Sequence, residues 1–108
     1  MKRVWGSLPV IILAAAISAF GAQFKGTISD KMCAGDHRGE DPAKCTLSCV
    51  EHGSLFVLVI SKDKVLTIEN QKDARISTLL RKYAGREVTV TGTTNKEGRS
   101  IKLEKITI

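Results

Sequence analysis

The order in which the hydrophobic period changes along this 108-residue chain leaves few folds open to it. From Gln23 to Asp30 the residues alternate, with Phe24, Gly26 and Ile28 on one side and Lys25, Thr27 and Ser29 on the other, the period of two that a half-buried strand shows. Leu55 to Ile60 is an unbroken apolar run of strand formers. Ser61, Lys62 and Asp63 turn it back into Val65 to Glu69, so the two stretches form a hairpin. After Asn70 and Gln71 the period lengthens: Asp73 can cap a helix in which Ile76, Leu79, Leu80 and Tyr83 recur at i, i+3, i+4 and i+7, and Gly85 ends it. Glu87 to Thr93 alternates again, with Val88, Val90 and Gly92 inward. The turn from Asn95 to Gly98 then leads into a last strand carrying Ile101, Leu103, Ile106 and Ile108. Its inward set moves from odd to even numbers around Glu104 and Lys105, which predicts a bulge there.

Between the first and second strands the chain carries an insert that holds every cysteine and histidine of the protein: Cys33, His37, Cys45, Cys49 and His52. Lys31 to Asp41, with Gly35 and Gly39, has no periodicity and is a loop. Asp41 followed by Pro42 is a helix start, because the aspartate oxygen accepts from an orphan N–H and proline is tolerated in the first turn; Gly53 is the stop. On that helix Ala43, Leu47 and Val50 are expected on the side facing the core. Cys45, Cys49 and His52, at i, i+4 and i+7, are expected on the opposite side, looking toward the loop with Cys33 and His37. Asp30, Asp36, Glu40 and Asp41 could supply oxygen ligands or orient a histidine from behind the ligands; the expectation is that Asp41 caps the helix and the other three are solvated.

Strand, insert, strand, strand, helix, strand, strand is the order of a mainly β chain, a five-stranded OB-fold-like Greek-key barrel with a helix between strands three and four and a Cys/His-bearing loop and helix between strands one and two. The chain resembles small exported bacterial OB-fold-like proteins over essentially all of its length beyond the first 21 residues. It is similar in particular to an uncharacterised exported group that carries three marks: Gly26 to Cys33 (Gly-Thr-Ile-Ser-Asp-x-Met-Cys), a histidine-bearing loop running on to Cys45 through Val50 (Cys-Thr-x-x-Cys-Val), and Ala84 to Gly92 (Ala-Gly-x-x-Val-x-Val-x-Gly). The resemblance implies a fold and an exported location and brings no established activity.

Residues 1–21 are expected to be a secretory signal, followed by one domain over 22–108. Lys2 and Arg3 precede an uncharged stretch with an apolar centre from Leu8 to Ile17, and small residues at Ala19 and Gly21 suit cleavage after Gly21. A retained membrane anchor is the alternative, and Pro9 and the short apolar centre weigh against it. The location is therefore periplasmic or secreted, with no stable membrane insertion after cleavage. Seventeen basic residues less Lys2 and Arg3 leave fifteen against eleven acidic ones, a net charge of +4 with no run of like sign, which gives a solvated surface and does not point to nucleic acid. Stacking partners are also scarce beyond the signal, where the aromatic residues are Phe24, Phe56 and Tyr83.

Thiolate and imidazole are the donors that soft and borderline metals take, so Cys33, His37, Cys45, Cys49 and His52 are a candidate site for Zn(II) or Cu(I). The competing use is a disulfide from Cys33 to Cys45 or Cys49 in a stapled ligand- or protein-binding module, with the third thiol left over. No catalytic constellation is visible, since Ser48 has no evident base and no carboxylates pair by spacing, so a non-enzymatic protein is expected. Mass spectrometry of the exported protein should give the mass of residues 22–108; a mass that retains Lys2 and Arg3 would refute cleavage.

Overall fold

The computed structural model describes residues 21–34 and 41–108. The expected signal, except for Gly21, and His37 lie outside the described residues. Seven elements follow in order: β1 (Ala22–Asp30), α1 (Pro42–Glu51), β2 (Phe56–Ser61), β3 (Lys64–Ile68), α2 (Ala74–Lys82), β4 (Glu87–Thr94) and β5 (Ser100–Thr107). The types and order are those expected from the periodicity, with boundaries shifted by one to three residues. No helix among the described residues is long and apolar enough to cross a membrane.

The five strands form one mixed sheet that closes on itself in the order β1-β2-β3-β5-β4. All pairings are antiparallel except that of β3 with β5, where Thr67 lies opposite Ser100 and Ile68 opposite Ile101. Closure depends on β1, whose first part pairs with β4 from Ala22 to Thr27 and whose last part pairs with β2 from Thr27 to Asp30. Gly26 sits at the changeover, and a Cβ there would come within 2.7 Å of the Val59 carbonyl oxygen, so the close approach needs glycine.

Inward alternation fills the ring. Ile28, Leu58, Leu66, Ile76, Leu80, Val90 and Ile101 are wholly buried in one cluster, with Phe24, Leu47, Val50 and Tyr83 packed against it. Each such large aliphatic side chain contributes about 1.5–3 kcal/mol by leaving water. The expected bulge is present: Thr91 faces Lys105 and Gly92 faces Leu103, which leaves Glu104 as the extra residue on β5. A second irregularity, with Val59 facing Val65 and Ser61 facing Lys64, was not visible in the alternation. Ile108 lies beyond β5 and is exposed, contrary to the inward place expected of it, because pairing stops at Thr107.

Two amides between β3 and α2 replace ladder bonds at the strand ends. Asn70 exchanges both its side-chain bonds with the backbone of Leu103, at 2.8 and 2.9 Å. Gln71 accepts from the Phe56 N–H and donates to the Phe56 and Ile68 carbonyls. α2 starts at Asp73, whose carboxylate accepts from the Arg75 and Ile76 N–H groups, and buries Ile76 and Leu80 as its period predicts.

After α2 the chain turns at Gly85 with φ of +78°, and the start of α1 rests on this glycine. A Cβ at Gly85 would stand 2.5 Å from the Ala43 nitrogen and 2.7 Å from the Pro42 carbonyl carbon. Both the left-handed backbone and the contact exclude a side chain. Gly85→Ala should therefore lower the thermal midpoint by about 4–8 °C or more, since strain of about 1 kcal/mol moves a domain of this size that far. A calorimetric scan that finds no change would refute the contact.

Candidate metal centre

Cys33 is placed by the turn that ends β1. The Asp30 side chain accepts from the Cys33 N–H at 3.1 Å, and the Asp30 carbonyl accepts from the Ala34 N–H at 2.8 Å. The Lys31 N–H donates to the Leu55 carbonyl and the Met32 N–H to the Ser54 hydroxyl, which ties the turn to the start of β2. Ala34 pays for the tight wrap with φ of 47°, a left-handed backbone that costs a non-glycine residue about 1–2 kcal/mol.

Cys45 and Cys49 are placed by α1. Asp41 caps it as expected, accepting from the Ala43 N–H at 2.9 Å, with Pro42 in the first turn. Gly53 closes the other end with φ of +103°, where the Gly53 and Ser54 N–H groups donate to the Val50 and Cys49 carbonyls. The orientation differs from expectation. The wholly buried residue of α1 is Thr46, and Val50 and Cys49 lie on its two flanks, because successive residues are about 100° apart. The cysteines thus border the packed face of α1, instead of lying opposite it. The apolar positions alone could not reveal this, since the polar Thr46 marks the centre of the buried stripe.

The outcome is a cluster of three sulfurs. The Cys33 Sγ lies 3.4 Å from that of Cys45 and 3.9 Å from that of Cys49, all three within 4.8 Å of one another, half-buried and not joined by a disulfide. Cys33 occupies the middle of the set. Hydrogen bonding to Cys45, followed by burial, the bond to Cys49 and the charge of Asp30, pushes its thiol up to about 12. Burial chiefly raises the Cys49 thiol as well, with the Cys33 hydrogen bond opposing. Without a cation these groups are thiols, and a cation would have to displace their protons.

His52 follows Cys49 at the end of α1 but does not join the sulfurs. Its exposed ring donates from Nδ1 to the Ser48 carbonyl at 2.7 Å, since a carbonyl can only accept, which leaves Nε2 as the nitrogen with a lone pair. It borders a surface cleft of about 440 Å³ together with Lys31, Met32, Ser54 and Leu55. Met32 and Leu55 are exposed there, at 73% and 39%.

Asp30 was expected to be solvated and is instead wholly buried. One of its carboxylate oxygens holds Cys33, and the other, Oδ1, has no hydrogen-bond partner among the described residues; nor has the buried Thr46 hydroxyl. A signal for this was present in the alternation, because Phe24, Gly26 and Ile28 on the inward side are followed two residues on by Asp30. Extending the period by one more step puts a carboxylate into the interior. Comparison with protein-family models, with curated proteins and with solved structures gives no match to this chain.

The raised Cys33 thiol couples to stability. An unfolded chain ionises this thiol near its ordinary value of 9.0, while the folded one holds its proton up to about 12. Over that window the unfolded state binds fewer protons, so stability of the metal-free protein should fall as pH rises from about 9 toward 12. Urea unfolding across this range should show a shallower loss in Cys33→Ser than in the parent; equal slopes would show that the thiol is not perturbed.

Proposed function

We propose that this chain is an exported, non-enzymatic metal-binding protein in which Cys33, Cys45 and Cys49 hold Zn(II) or Cu(I). The observation that carries the reading is the convergence of three unbonded sulfurs from two elements of the fold on a space 4.8 Å across. Metal–sulfur bonds of about 2.3 Å place the thiolates of a tetrahedral centre about 3.8 Å apart. The separations of 3.4 and 3.9 Å from the Cys33 sulfur to those of Cys45 and Cys49 bracket that value. Three soft donors suit Cu(I), and Zn(II) takes a fourth, for which His37 or His52 of the same insert is the proposed source.

The scaffold is proposed to be OB-fold-like. Support comes from the closed strand order β1-β2-β3-β5-β4, the single parallel pairing of β3 with β5 and the helix between β3 and β4. Export is proposed from the basic, apolar and small-residue order of residues 1–21. In such a compartment an ion is met before any cytosolic buffer, so sequestration or delivery is the role that a small, half-exposed thiol centre serves.

A second reading, a disulfide-stapled binding module without metal, is favoured by the 3.4 Å approach of the Cys33 and Cys45 sulfurs. Elemental analysis with thiol titration of the exported protein separates the two. The metal reading expects about one Zn or Cu per chain and no disulfide. Cys45→Ser or Cys49→Ser should each weaken metal binding by more than about 10-fold, as loss of a ligand costs at least what loss of its supporting group does. One disulfide, one titratable thiol and no metal would overturn it.

A further inference from the structure

Asp30 is an unusual group to find behind a set of thiols. It is 0% exposed, and its Oδ2 is committed to the Cys33 N–H while its Oδ1 has no hydrogen-bond partner among the described residues. The ion pair found among the described residues, between Lys25 and Glu87, does not involve it. A buried carboxylate with unused acceptor capacity is costly unless positive charge stands nearby. Among the described residues, the groups recorded against it are the Cys33 N–H and the Cys33 and Cys49 thiols, none of which carries positive charge. Its own negative charge is one of the lesser influences that keep Cys33 and Cys49 protonated, after the Cys45 hydrogen bond and burial.

We infer that Asp30 supplies the outer negative charge of the thiol centre and biases it toward a divalent ion, Zn(II), over monovalent Cu(I). This rests on the metal reading above and adds the choice of ion. Three thiolates and one carboxylate place four negative charges in a half-buried space. A dication cancels two of them and a monocation one, and residual charge away from water is penalised. The attraction between the Asp30 carboxylate and the ion scales with the ion's charge. Asp30 does not belong to the set of donor atoms within 4.8 Å, so it acts through its field and by fixing Cys33, as a positioning residue.

Asp30→Asn isolates the charge, because the amide oxygen can still accept from the Cys33 N–H. Affinities of the full exported chain for Zn(II) alone and for Cu(I) alone are measured by chelator competition under reducing, oxygen-free conditions. Zn(II) affinity should fall about 10- to 100-fold, the range typical of groups that support metal ligands. Cu(I) affinity should fall much less, so the ratio of the two moves toward copper. A structural role alone would weaken both ions alike, and equal weakening, or no change, overturns the inference. Asp30→Ser, which also keeps an acceptor and lacks the charge, serves in the same measurement if the asparagine variant does not fold. If the parent protein takes up neither ion, the metal reading and this inference fall together; uptake with an unmoved ratio overturns the inference alone.

Discussion

Everything in this structure depends on how β1 is shared. One strand of nine residues pairs first with β4 and then with β2, and this double use closes the sheet. A strand committed on both edges has no freedom of register, because a slip of one residue would turn Ile28 outward and break two ladders at once. The same constraint fixes where β1 ends. Asp30 arrives inside the packed volume as the last residue of the strand, and the turn that follows is wound around its carboxylate and carbonyl. The position of Cys33 is thus inherited from the ring.

α1 is held by a different logic. Its start is seated on Gly85, just past α2, and its end is closed by Gly53 at the approach to β2. Between these points it packs through Thr46, with Leu47 and Val50 reaching the core. Two cysteines one turn apart on such a helix are oriented by backbone geometry, and the third comes from the turn after β1. The juxtaposition of the sulfurs therefore reports the packing of the whole domain, although the residues concerned span only 17 positions of the chain, from Cys33 to Cys49.

Much of this was legible in the residues. Alternation in Gln23 to Asp30 and in Glu87 to Thr93 located β1 and β4, and the parity change at Glu104 located its bulge, because side-chain period is a direct consequence of burying one face. The Asp41-Pro42 start and Gly53 stop located α1. Leu47 and Val50 do reach the core as their spacing predicts, but the centre of the buried stripe is the polar Thr46. Ala43, Leu47 and Val50 are too few to set the rotation of a short helix closely, so the centre of its buried face could not be read from them. The interior carboxylate runs against its charge, which favours solvent at a strand end, whereas the period of β1 puts Asp30 inside. The closeness of Cys33 to Cys45 and Cys49 was expected from the insert, but its geometry depends on Gly85 and Leu55, which are remote in sequence or outside the cysteine segment.

The small share of α1 that is fully buried has a further consequence. The closed sheet contains most of the wholly buried side chains and α2 adds Ile76 and Leu80, while α1 contributes Thr46 alone to that class. Elements with few such groups open at lower free energy than the body they sit on. Amide protons of α1 should accordingly trade with solvent by excursions of the helix that leave the strands undisturbed, and whatever cross-links the three sulfurs would act as a latch on that local motion. The sheet is then a mount whose integrity does not wait on the latch being fastened.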